Sequence, residues 1–234
     1  MRGPELSPRL RMVGELVPAG ARLADVGTDH AYLPAALILE GKIPWAIAAD
    51  LRQGPLNRAR ATVREYGLTG KVAFRLCDGL SGIRPGEVDA VAAAGMGGET
   101  IAAILTAAPW TLERDVPLIL QPMSSFPDLR KWLGENGFAI EKERLAREGE
   151  TLYTALLVRT GEMPPLSPAE LWAGKNTADP LRGDWLDRWL ARVRQALEGM
   201  SRARREKPPA RKRELEEVAA GLIDMKKEWE QWQT

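Results

Sequence analysis

The sequence predicts an α/β protein: a doubly wound parallel sheet flanked by helices, followed by an antiparallel helical coiled-coil hairpin. Three observations predict it. From residue 22 to about 160, short apolar runs alternate with segments of helical period. Beyond residue 184 the apolar residues fall into heptad spacing. A chain of 234 residues with 44% hydrophobic content can bury a full-sized core and still carry an extension.

The apolar runs are Arg22 to Val26, Ala46 to Asp50, Val72 to Cys77, Ala90 to Ala94 and Pro117 to Gln121. Between them the expected helices are Tyr32 to Glu40, Pro55 to Tyr66, Glu99 to Ala107 and Phe126 to Asn136, each ended or followed by glycine or proline. The stretch from Ala139 to Thr160 carries a Gly-Glu turn between two extended segments and predicts a terminal β-hairpin. Gly161 to Pro168 is rich in helix breakers and marks a boundary. The expected organisation is therefore an α/β domain over 1–160, a linker over 161–184 and a helical hairpin over 185–234. Leu186, Leu190, Val193, Leu197 and Met200 form one seam, and Leu215, Val218, Leu222, Met225, Trp229 and Trp232 form a second. Pro208-Pro209 separates them, so two helices fold back on each other.

The 33 basic and 32 acidic side chains nearly cancel, so any case for nucleic acid must be local. One cysteine, Cys77, excludes an intramolecular disulfide framework. One cysteine and one histidine cannot build the usual zinc sites, and no metal is expected. The N-terminal residues hold no apolar run that could serve as a signal peptide or anchor, so a soluble cytoplasmic protein is expected. Cys77, inside an apolar strand, is expected in the core.

The first apolar run ends in Asp25-Val26-Gly27, and the chain must then turn into the helix starting near Tyr32. Gly27 lets the backbone approach a ligand, and Pro34 falls in a first helical turn where its missing N–H costs little. A dinucleotide site wants Gly-x-Gly-x-x-Gly, yet the second glycine position here is Asp29. A carboxylate there repels a pyrophosphate but suits S-adenosylmethionine (SAM), whose methionine end carries an ammonium and whose sulfur is a cationic sulfonium. Asp50, ending the second run, is placed to accept hydrogen bonds from ribose hydroxyls, with Leu51 beside it. Asp78-Gly79, after the third run, can receive an adenine amino group, although an aspartate there is also a common helix cap.

The fourth run ends in Ala94-Gly95-Met96-Gly97-Gly98, where the methyl acceptor should lie. Enzymes that methylate exocyclic amines usually carry Asn or Asp before Pro-Pro and an aromatic residue here, and that motif is absent. The site suits an acceptor with a free lone pair, such as a ring nitrogen, which needs alignment more than deprotonation. Methylation there creates a cation that Asp29 can stabilise. His30 is expected to position cofactor or substrate, with a general-base role as the alternative. Tyr32 can stack on a base or cap the core, and the sequence leaves both open.

These residues resemble the bacterial tRNA (adenine-22, N1)-methyltransferases. Leu6-Ser-Pro-Arg-Leu10 is similar to that family's N-terminal Leu-Ser-x-Arg-Leu, and Asp25 to Pro34 is similar to its most distinctive motif. Gly41-Lys-Ile-Pro44, Ala94 to Gly98, Leu120-Gln-Pro122, Leu129-Arg-Lys-Trp-Leu133 and Glu150-Thr-Leu-Tyr153 continue the resemblance in order. The chain departs at Met123, where the family usually has asparagine. The resemblance implies a Rossmann-like class I methyltransferase domain with a C-terminal coiled coil, SAM as donor and N1 of a tRNA adenine as acceptor. Asp25, Val26, Gly27, Asp29, His30, Asp50, Leu51, Asp78, Gly79, Ala94 and Gly95 would then hold the cofactor. Asp29, Tyr32, Gly95, Met96 and Gly97 would serve the transfer. Residues 188 to 213 hold ten basic side chains against two acidic ones, which suits tRNA phosphates through Arg192, Arg194, Arg202, Arg204 and Arg205, with Arg9 near the reacting base. The alternatives are another RNA or a small molecule as acceptor, and a non-catalytic RNA-binding adaptor. The oligomeric state is left open.

Overall fold

In the computed structural model, which describes residues 3–175, 178–202 and 209–232, the five apolar runs form the parallel part of one sheet. The strands are β1 (Arg22–Val26), β2 (Trp45–Asp50), β3 (Val72–Leu76), β4 (Ala90–Gly97) and β5 (Leu118–Ser124). A hairpin of β6 (Phe138–Glu148) and β7 (Thr151–Thr160) closes one side, giving the order β3-β2-β1-β4-β5-β7-β6. β5 pairs antiparallel with β7, and β7 with β6. Helices follow four of the strands: α2 (Tyr32–Leu39) after β1, α3 (Gln53–Glu65) after β2, α4 (Gly98–Thr106) with the short α5 (Trp110–Glu113) after β4, and α6 (Phe126–Glu135) after β5, whereas turns alone link β3 to β4. The chain clusters into two compact units, Met1–Met163 and Pro164–Thr234.

The sheet of the first unit is buried on both faces, as a parallel sheet covered by helices must be. Side chains alternate between faces along each strand. Leu23, Ala46, Ala48, Ala90 and Ala92 pack into one core cluster with residues of α2 and α3. Ala24, Val26, Ile47, Ala49, Val91 and Ala93 pack into the other with residues of α4 and α6. The alanines of β2 and β4 let helices approach closely, and the larger buried side chains contribute about 1.5–3 kcal/mol each.

A first helix, α1 (Pro8–Leu16), was not among the elements expected from periodicity. Ser7 caps it, its hydroxyl accepting from the Leu10 N–H at 3.5 Å, with Pro8 in the first turn. α1 buries Met12, Val13 and Leu16 in the same cluster as Leu23.

The second unit contains α7 (Pro168–Ala173), α8 (Arg182–Arg202) and α9 (Pro209–Gln231). The segment expected as linker thus holds a helix, started by a capping box in which Ser167 and Glu170 satisfy each other's backbone N–H. Gly183 abuts the Trp229 ring, and the Lys226 ammonium meets Asp187 at 2.5 Å, so α8 and α9 run antiparallel. Leu186, Leu190 and Val193 on α8 are buried, as are Leu215, Val218 and Leu222 on α9. Leu197, Met200, Met225 and Trp229 are only half-buried, and Trp232 is exposed. Burial centres where α7 packs: Ala169 lies against Gly221, and Trp172 meets Trp189 edge-on at 5.3 Å. Trp185 and Trp189 widen the α8 seam beyond heptad spacing because three helices, not two, share the core. Buried Arg182 donates to the carbonyls of Ala173 and Gly174 at 2.5 and 2.6 Å, closing the open end of α7. Among the described residues no helix is long and apolar enough to cross a membrane.

Candidate active site

The strand order reverses direction between β1 and β4, with β2 and β3 on one side and β5 on the other. In open α/β sheets the crevice at the carboxyl ends of such strands is where ligands bind. A cleft of about 220 Å³ lies there. One wall is Asp25, Gly27, Thr28, Asp29, His30 and Tyr32; the other includes Ala94, Gly95 and Arg9. All of these except Thr28 are residues that the sequence singles out.

The turn after β1 is pinned to β2, the N–H groups of Gly27 and Thr28 both donating to the Ala49 carbonyl at 2.9 and 3.1 Å. Gly27 has φ +70°, a left-handed conformation that favours glycine, and Asp29 and Ala31 follow with φ of +46° and +55°. Two non-glycine residues in that region within three positions make a strained loop held by its surroundings.

Asp25 is 5% exposed. Desolvation lifts its carboxyl pKa to about 6; the Thr28 hydroxyl, donating at 2.5 Å, opposes the rise, and the nearby charge of Asp50 adds to it. The site thus stores an anion that water does not stabilise. Asp29 is different. It stands exposed, takes the Arg58 guanidinium from α3 at 2.5 Å, and has His30 Nε2 at 3.7 Å. Its negative charge is therefore balanced by a neighbouring cation, which the sequence reading did not foresee. His30 stacks on Tyr32, ring centroids 5.0 Å apart, and Tyr32 is 40% exposed, so it does not cap the core.

Asp50 is buried at the end of β2, with one carboxylate oxygen accepting the Arg52 N–H at 2.8 Å. Leu51 beside it is exposed. Asp78 is exposed, and Gly79 has φ +53° with Ile104 so close that a Cβ would stand 2.8 Å from it. These four residues occupy the same edge of the sheet as Asp25 but do not line the 220 Å³ cleft itself. Cys77 is half-buried, its Sγ 3.5 Å from the Gly79 carbonyl, rather than sealed in the core.

The opposite wall turns on Gln121, which the sequence shows only as part of the Leu120-Gln-Pro122 motif. Gln121, fully buried in β5, accepts at Oε1 from the Gly95 N–H at 3.1 Å and from Arg9 at 2.8 Å, and donates from Nε2 to the Pro122 carbonyl at 2.9 Å. Gly95 has φ +79° at a register shift in β4, so this amide fixes an irregular strand end. Arg9, expected only as an RNA contact, reaches inward from α1 and lies over the Tyr153 ring at 5.7 Å. Met96 presses its methyl against Gly27, linking the two walls. Gly97 precedes α4 as its cap. Met123 is exposed, its sulfur 3.5 Å from Gln121 Nε2.

In the second unit Arg192 lies over Trp189 at 5.2 Å, Arg194 is exposed, and Arg202 pairs loosely with Glu198 at 3.5 Å. Arg204 and Arg205 lie outside the described residues. Among the described residues no group of three or more His, Cys, Asp or Glu could hold a metal ion.

A family model described as a methyltransferase domain matches residues 6–156. A Bacillus subtilis tRNA (adenine(22)-N(1))-methyltransferase is 40% identical over 158 residues, 68% of this chain and 66% of that protein. The chain thus spans a little under two thirds of the length of the curated relatives it matches. The crystal structure of a B. subtilis m1A22 tRNA methyltransferase matches with a TM-score of 0.79 at 33% identity, covering 96% of this chain and 98% of that one. A Streptococcus pneumoniae protein, a candidate tRNA (m1A22) methyltransferase, matches with a TM-score of 0.84 at 32% identity over 95% of this chain and all of that one. It has also been solved in complex with S-adenosyl-L-methionine. The chain belongs to the family of bacterial tRNA (adenine-22, N1)-methyltransferases.

Two outcomes follow from the geometry. A carboxyl whose folded pKa exceeds its unfolded value binds more protons when folded, so its burial costs stability as pH rises from about 4 to about 6 and the cost persists above. Asp25→Asn should therefore raise the stability of the ligand-free protein at pH 7.5 by roughly 1–3 kcal/mol, and the gain should shrink as pH falls below about 6 and vanish only below about 4 in thermal unfolding. Gln121→Leu leaves a buried Gly95 N–H and the Arg9 guanidinium without their acceptor, which costs about 1–3 kcal/mol; methyl transfer should fall by at least tenfold while the variant still folds.

Proposed function

We propose that this protein is a SAM-dependent methyltransferase acting on N1 of adenine in tRNA, at adenine-22. The observation that carries the reading is the desolvated Asp25 carboxylate beside the positive-φ backbone of Gly27, in the crevice where the sheet changes direction. A buried anion with a hydroxyl as its partner and, among the described residues, no ion pair fits a cationic ligand and would repel a pyrophosphate. Family membership and the SAM complex of a relative support the same donor.

In this reading Asp25, Val26 and Gly27 hold the cationic methionine end, and His30 orients the loop around it. Asp50 keeps one carboxylate oxygen for the ribose, Leu51 covers the adenine ring, and Asp78 with Gly79 meets the adenine edge. Bound SAM supplies an electrophilic methyl group on a sulfonium. Asp29, balanced by Arg58, shapes the loop more than it adds net charge. Ala94, Gly95, Met96 and Gly97, fixed through Gln121, align the acceptor, and the exposed face of Tyr32 offers a stacking surface for a base turned out of the tRNA. Adenine N1 has a free lone pair, so no side chain need remove a proton before attack, and alignment supplies most of what the site must provide. Methylation leaves the base cationic, which the field of Asp25 favours.

The tRNA is held in part by Arg192, Arg194 and Arg202 of α8, with Arg204 and Arg205 beyond them in sequence. A tRNA-modifying activity fits a cytoplasmic protein. Incubation with SAM and unmodified tRNA, followed by nucleoside mass spectrometry, should yield 1-methyladenosine, and replacing adenine-22 by guanine should abolish it. A methyl group found only on an exocyclic amine or a ribose would overturn the assignment.

A further inference from the structure

Several arginines at the surface of the first unit are held by carboxylates. Arg11 pairs with Glu40 at 2.6 Å, Arg22 with Asp89 at 2.7 Å, Arg75 with Glu87 at 2.6 Å, and Arg159 with Asp115. Helix α3 gathers four more on one element. Arg52 at its N-cap and Arg58, Arg60 and Arg64 along it are all exposed, and residues 51 to 64 contain no acidic side chain. Only Arg58 among these four has a carboxylate within 4 Å, and that carboxylate is Asp29 in the cleft loop. Arg60 lies with its guanidinium 4.4 Å above the Phe74 ring, which orders the group without neutralising it.

Position makes this concentration of charge meaningful. α3 leaves the carboxyl end of β2 directly after Asp50, and the Arg58–Asp29 contact brings its middle to the lip of the cleft. From Arg52 to Arg64 the face extends about 18 Å at 1.5 Å per residue, enough to pass several nucleotides. Arginine rather than lysine at all four positions suits forked contacts to phosphate oxygens. Arg60 and Arg64 are one turn apart and point to the same side.

We propose that the solvent face of α3 is a tRNA-backbone contact surface of the catalytic unit, in which Arg52, Arg60 and Arg64 take phosphates flanking the nucleotide delivered to the cleft. The proposal rests on the tRNA reading above and adds a surface on the α/β unit to the basic residues of α8. It gives the enzyme a grip on the strand that starts at the cleft lip and runs along the catalytic unit away from it. Phosphate contacts of this kind position the nucleic acid and carry no sequence information themselves.

The test uses the full chain and unmodified tRNA. In Arg60→Gln/Arg64→Gln the slope of log affinity against log salt should shrink in magnitude by about 1.4–1.8, from two lost contacts at about 0.7–0.9 each, and KM for tRNA should rise at least fivefold. SAM affinity, measured by calorimetry, should stay within twofold, which also reports a folded cleft. Arg60→Lys/Arg64→Lys should keep most of the salt slope, whereas a general loss of packing would spare neither variant. A wild-type salt slope and KM in the glutamine variant would overturn the surface while leaving the methyltransferase reading intact. A wild-type protein that neither binds nor methylates tRNA would overturn both.

Discussion

The site depends on one constraint: a carboxylate placed at the end of a strand that is buried on both sides. β1 sits between β2 and β4, its faces covered by helices, so the side chain of its fourth residue meets solvent only through the cleft and is 5% exposed. Asp25 is consequently desolvated, with the Thr28 hydroxyl as its hydrogen-bond partner. The fold tolerates the cost because the flanking residues Leu23, Ala24 and Val26 are packed on both faces. What destabilises the empty protein is what makes the crevice favourable for a cation.

Around that carboxylate, three elements far apart in the sequence are tied together. The turn after β1 hangs on the Ala49 carbonyl of β2. The strand end of β4 hangs on Gln121 of β5, and the same amide oxygen receives Arg9 from α1. α3 reaches the cleft loop through Arg58. The two walls of the cleft are thus positioned by separate supports that meet at Met96 and Gly27. A reaction that needs alignment rather than proton transfer fits a site whose backbone is fixed so thoroughly.

Much of this was legible in the sequence because it is local. The five apolar runs became strands with ends shifted by at most three residues, and Asp25, Gly27 and Gly95 fell where strand-turn-helix logic put them. What escaped was mostly nonlocal. The Arg58–Asp29 pair spans 29 positions and the Arg9–Gln121 bond 112, and no periodicity encodes either. Asp29 consequently looked like the decisive charge, whereas the buried Asp25 is the anion without an ion pair among the described residues. α1 and α7 were missed for another reason. Each is short and begins Ser-Pro, a pair that serves equally as a loop breaker and as an N-cap with proline in the first turn. The heptad reading of the C-terminal helices found the right pairing but not the third helix, whose Ala169 and Trp172 broaden the core.

The central claim is that Asp25 is the anion that binds the methyl donor. The most direct measurement is the SAM dissociation constant by calorimetry from pH 5 to 8, for the natural protein and for Asp25→Asn. The account predicts that affinity weakens as pH falls through about 6, well above the range where an ordinary carboxylate protonates, and that the asparagine variant binds weakly with no such dependence. Equal affinity in the two proteins, or a flat profile for the natural one, would contradict it.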